Sequence, residues 1–138
     1  MKKIFSCSAT LFLFSLSFGQ PKVPDVVKTA FNNKFSGASE VKWEKESRKE
    51  LEANFKMNNT DVSANFKLDG TWVETETTIP ASELPAAVSN AVNTKYPGAV
   101  YGRIEKIEKP GKILFEVNIT VKGKKKELEL NPDGTVAK

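Results

Sequence analysis

Glu50-Leu51-Glu52-Ala53-Asn54-Phe55-Lys56-Met57, the pair Asn58-Asn59, and Thr60-Asp61-Val62-Ser63-Ala64-Asn65-Phe66-Lys67-Leu68 together decide how this chain folds. Leu51, Ala53, Phe55 and Met57 alternate with Glu50, Glu52, Asn54 and Lys56. Val62, Ala64, Phe66 and Leu68 alternate in the same way with Asp61, Ser63, Asn65 and Lys67. A period of two sends successive side chains to opposite faces, so these are antiparallel strands with one buried and one wet face. Asn58-Asn59 tolerates the positive φ that a tight hairpin needs. Glu50, Glu52, Asn54, Lys56, Asn65 and Lys67 therefore fall on one polar sheet face.

The same alternation returns further on, where Phe115, Val117, Ile119 and Val121 interleave with Glu116, Asn118 and Thr120. Glu116 and Asn118, with Glu127 and Glu129 of the next strand, extend the polar face. Asp69-Gly70, Gly123 and Asp133-Gly134 supply the turns. Upstream of each strand group the period is helical. Val23, Val27, Ala30 and Phe31 form one apolar stripe, and Leu84, Val88, Ala91 and Val92 form another. Each has a proline in its first turn and a glycine, Gly37 or Gly98, beyond its end. Both stripes are core-facing helix surfaces rather than ligand grooves.

The two halves align. Val23-Pro24 falls on Leu84-Pro85 at an offset of 61, and Leu68-Asp69-Gly70-Thr71 on Pro132-Asp133-Gly134-Thr135 at 64, with the drift confined to turns. The expected architecture is α+β, a tandem repeat with a first unit over 20–80 and a second over 81–138. Each unit is a helix followed by about four short antiparallel strands in meander order. The helices cover one face of the sheet and leave the polar face to solvent. Trp43 aligns with Ile104 and Trp72 with Val136, so both tryptophans read as core positions.

Residues 1–19 are a different kind of segment. Lys2 and Lys3 precede an apolar run from Ile4 to Phe18, and Ser17-Phe18-Gly19 offers small residues where a signal peptidase cuts. The mature chain is expected to begin at Gln20, without the single cysteine, Cys7, and without a lipid anchor. Loss of Lys2 and Lys3 lowers the net charge from +4 to +2. Such a balance, with signs interspersed, lacks an electrostatic footprint for nucleic acid. The basic run Lys122-Gly123-Lys124-Lys125-Lys126 carries no interleaved aromatic residue and reads as a solvated hairpin whose lysines guard a sheet edge.

The 138 residues contain no histidine, which excludes Ser-His-Asp and Cys-His nucleophile pairs and histidine-ligated zinc. Glu50 and Glu52, Glu74 and Glu76, and Glu127 and Glu129 share strand faces. Catalysis by paired carboxylates requires a pocket that drives two pKa values apart, and a flat wet sheet does not provide one. No catalytic residues and no cofactor are assigned. A weak calcium site built from strand carboxylates is the one metal option left, since neither Asp-Gly turn belongs to a full calcium loop.

The pattern Leu84-Pro85-(x2)-Val88-(x7)-Tyr96-Pro97-Gly98-Ala99, followed by a charged meander ending in Asp133-Gly134-Thr135, resembles the PepSY-like family. It is more closely similar to the β-lactamase-inhibitor-like group of secreted Bacteroidetes-type proteins. The first half departs from the pattern at Phe35-Ser36-Gly37, where Tyr-Pro-Gly is typical. The resemblance implies a small α+β periplasmic or secreted module, named for likeness to a proteinaceous inhibitor. The expected function is a noncatalytic binding or inhibitor-like module that engages another exported protein or envelope component through its polar sheet face. The alternative is a calcium- or small-ligand-responsive periplasmic protein with its site at the junction between repeats.

Overall fold

The computed structural model describes residues 19–137. Helix α1 (Asp25–Lys34) leads into strands β1 (Ser39–Lys45), β2 (Glu50–Met57), β3 (Thr60–Lys67) and β4 (Trp72–Thr78). A 3-10 turn (Ala81–Glu83) then precedes α2 (Ala86–Lys95) and strands β5 (Val100–Lys109), β6 (Lys112–Val121) and β7 (Lys124–Leu130). The expected leader lies outside the described residues apart from Gly19.

The chain is α+β, but it is not the tandem repeat of helix plus four-stranded meander that the sequence suggested. All seven strands form one antiparallel sheet in the order β1-β2-β3-β4-β5-β6-β7. Four strands follow α1 and three follow α2, and in place of a further strand the chain makes one bridge, Leu130 to Val136. What overturns separate units is the pairing of β4 with β5, from Thr75↔Glu108 to Thr78↔Glu105. Each strand alone would present an unsatisfied row of N–H and C=O groups, and pairing satisfies both rows at once.

Local chemistry sets the element ends. Pro24 and Pro85 sit at the N-caps of α1 and α2, where no N–H is needed. The turn after β2 uses Asn58 and Asn59 at φ 48° and 67°, the left-handed pair of a two-residue hairpin. Gly134 permits a close approach as well as a turn. A side chain there would collide with the Ala87 carbonyl of α2, so the C-terminal turn packs directly on that helix.

Both helices lie on the same sheet face, each over its own apolar cluster. Val27 and Phe31 of α1 pack on Leu51, Ala53, Phe55, Val62, Ala64 and Phe66. Val88 and Val92 of α2 pack on Ile104, Phe115, Val117, Ile119 and Leu130. Register places Thr75, Thr77, Lys106 and Glu108 between the clusters on this face. Lys106 and Glu108 pair there at 3.1 Å. Trp43 and Trp72 border the first cluster, and the Trp72 indole N–H donates to Thr75 Oγ1 at 2.9 Å beneath the Lys34 ammonium. Val136 departs from the alignment with Trp72, since it is 59% exposed.

Candidate functional site: the open sheet face

Among the described residues neither helix lies over the face opposite the two clusters, and the composition of that face follows from strand register. One row across the sheet reads Glu44, Glu52, Asn65, Glu74, Lys109, Lys112. The next places Ser63 beside Glu76, and Glu76 beside the facing pair Ile107 and Leu114. In the third, Thr78 of β4 faces Glu105, which faces Glu116, which faces Glu129. Three glutamates on three neighbouring strands stand directly opposite one another. Like charges in that arrangement destabilise a sheet.

Nearby polar groups hold these carboxylates in place. Arg103 pairs with Glu105 at 2.7 Å, and Lys109 with Glu74 at 2.8 Å. The Asn118 amide donates to Glu116 Oε1 at 3.1 Å, and Ser63 and Asn65 donate longer bonds to Glu76 and Glu74. Burial pushes the Glu76 carboxyl up to about 7, and the charges of Glu105, Glu74, Glu116 and Glu52 push the same way. Burial also raises Glu52, Glu116 and Glu127, with Glu46 and Glu44 adding to it at Glu52, and Glu116 and Glu129 at Glu127. At Glu116 the Asn118 hydrogen bond works against burial. The buried hydroxyl of Thr78 finds no hydrogen-bond partner among the described residues.

All ten residues read from the sequence as the polar face lie on this open side. Glu50, Glu52, Asn54 and Lys56 are half-buried on β2, opposite Lys67, Asn65, Ser63 and Asp61 of β3. Glu116 and Asn118 on β6 face Glu129 and Glu127 on β7. The two groups are separated by β4 and β5, whose central residues the sequence reading did not place there. Ile107 and Leu114 are 2% and 1% exposed yet belong to neither helix-side cluster, and Glu105 is 8% exposed. The signal was present: Ile113-Leu114-Phe115 is an unbroken apolar run, so one of its members had to face away from α2.

Among the described residues no three Asp, Glu, Cys or His side chains converge to hold a metal. At the β4–β5 junction, a hollow of about 150 Å³ lined by Lys34, Phe35, Trp72, Thr75 and Glu108 lies on the helix side. A second, of about 260 Å³, lies by Pro21, Lys45, Arg48 and Leu68.

The class is thus an α+β module whose two described helices lie on one face of a single antiparallel sheet, with polar side chains dominating the other face. The chain belongs to the family described as "Putative beta-lactamase-inhibitor-like, PepSY-like", whose model matches residues 49–138. Among solved structures it is similar to a protein described as "putative periplasmic" from Bacteroides eggerthii, at 25% identity and TM-score 0.77, covering 86% of this chain and 88% of the other. It is also similar to a DUF2874 family protein from Bacteroides ovatus, at 24% identity and TM-score 0.76, covering 86% of each chain. A BLIP-like protein from Bacteroides fragilis matches at 22% identity and TM-score 0.75, covering 87% of this chain and 86% of the other. The last two show the shared fold. Nothing among curated proteins matches. No helix among the described residues is long and apolar enough to cross a membrane.

Proposed function

We propose that this chain is an exported, noncatalytic binding module, inhibitor-like in mode, that docks another exported protein or envelope component on the open face of its sheet. One observation carries the reading. The helices cover one face, while the other holds the half-buried carboxylates of Glu52, Glu74, Glu76, Glu116 and Glu129. Half-buried charge, held in place by neighbouring polar groups, is what a recognition surface uses for orientation and rate. Export is supported by the Lys2-Lys3 start, the Ile4 to Phe18 apolar run and the periplasmic description of the Bacteroides eggerthii relative.

The test is to capture a partner from envelope extract and compare binding by two variants. Charge reversal at Glu50 and Glu52 together should weaken binding by about tenfold or more, and added salt should weaken the wild type. Lys28→Glu, on the exposed side of α1, should bind as the wild type does. Loss of binding in Lys28→Glu with none in the sheet variant would place the working surface on the helical side.

A further inference from the structure

We infer that the outer edge of β1 is a self-association surface, on which a second copy of this chain pairs its own β1 antiparallel and joins the two seven-stranded sheets into one. The inference stands apart from the docking role of the open face. β1 and β7 are the outermost strands, so each turns a row of N–H and C=O groups away from the sheet. β7 is defended. Lys124, Lys125 and Lys126 are exposed in succession along it, and the bridge from Leu130 to Val136 occupies its end. β1 instead carries both signs, in Glu40, Lys42, Glu44 and Lys45, and no described strand pairs with its outer side.

Backbone geometry and charge select one register. The Glu46 N–H donates to the Glu50 carbonyl at 3.2 Å, so Glu46 and, at steps of two, Glu44 and Lys42 turn their backbone groups to β2. Trp43 and Lys45 turn theirs outward. β1 is regular from Lys42 to Lys45, and the bulge before it, with Glu40 at φ 55°, bends the start of the strand away. A two-fold axis at Trp43 sets Trp43 opposite Trp43 and Val41 opposite Lys45, each pair joined through outward-facing backbone groups. The same register sets Lys42 opposite Glu44 twice. Sliding one strand by two residues sets Lys42 against Lys42 or Glu44 against Glu44, a like-charge pair that costs stability. Neither Lys42 nor Glu44 has a salt-bridge partner among the described residues, and Glu44 faces the like charge of Glu52 in its own sheet. Lys42 of the second copy brings the missing positive charge to that place. On the helix side, the half-buried Trp43 ring, 5.3 Å from that of Phe31, gains a second indole across the seam.

The test is sedimentation velocity of the full chain. A seam of one strand per copy is small, so the pair should form reversibly, and the range runs from about 5 to about 500 µM. The mass should rise from one copy towards two and no further. Lys42→Glu and Glu44→Lys should each weaken pairing by about tenfold or more, because each sets two like-charge pairs across the seam. An equimolar mixture of these two variants should pair within about threefold of the wild type, since every such contact is then lysine opposite glutamate. That recovery also shows that both variants are folded. Lys125→Glu, on β7, should associate as the wild type does. A mass of one copy at every concentration overturns the inference, and so does growth past two copies. Association that neither single variant weakens overturns it too, as does a mixture that fails to recover pairing.

Discussion

Replacing Phe66 by alanine should cost about 3–5 kcal/mol of folding stability, and Phe55→Ala a similar amount. Phe66 is fully buried, and its ring centroid lies 6.2 Å from Phe31, 6.4 Å from Phe35 and 6.3 Å from Trp43. Phe55 meets Phe31 edge-on at 5.0 Å. Truncating either ring removes area burial and edge-to-face contact together, and leaves a cavity that the rigid sheet cannot close. Asn65→Ala, one residue away on the open face, should change stability by no more than about 0.5 kcal/mol. Urea melts with unchanged slopes read the difference directly. Equal losses at Phe66 and Asn65 would mean that the two faces of β3 are interchanged.

Raising the pH from 5 to 8 should destabilise the protein by about 2–3 kcal/mol, with most of the loss removed by Glu76→Gln. Glu76 has a folded pKa of about 7 against an ordinary value of 4.5. Between these values the folded chain holds a proton that the unfolded chain has released, so stability is greatest below the lower value. It declines through the window and is flat above the upper one. Glu52, Glu116 and Glu127 are raised as well and act in the same direction. Asp61, Asp69 and Asp133 act oppositely. Hydrogen bonds from Lys56, Thr71 and Thr135 hold them below the usual aspartate range, so their contribution is present near neutrality and disappears only in stronger acid. Melts at pH 5 and pH 8 that show greater stability at pH 8, or an unaltered slope in Glu76→Gln, would contradict this assignment.

Strand identity was legible where alternation was strict. Leu51 to Met57 and Val62 to Phe66 admit one reading, and their polar partners landed on the predicted face. Strand number and sheet continuity were not legible in the same way. A hydrophobic pattern reports which side of a strand is buried, but the joining of β4 to β5 is made by backbone groups that every residue carries. Alignment of the halves encouraged the picture of two equal units. It hid the point that Leu68-Asp69-Gly70 leads into a full strand, whereas Asp133-Gly134 leads only to the bridge at Val136. The open face was legible at its flanks and not at its centre. Arg103-Ile104-Glu105-Lys106-Ile107-Glu108 has apolar residues three apart, a spacing that breaks strand alternation and conceals that Ile104 and Ile107 face opposite ways. Opposition of Glu105, Glu116 and Glu129 depends on register across three strands, which turn lengths and the bulge between Tyr101 and Ile104 set together.

The most direct measurement of the central claim is an amide NMR titration of the full chain with a partner captured from envelope extract, followed residue by residue. Shifts concentrated at Glu50, Glu52, Asn65, Glu116 and Glu129 on the open face, with α1 and α2 unmoved, are the expected result. Shifts concentrated on α1 or α2, with the open face silent, would contradict it.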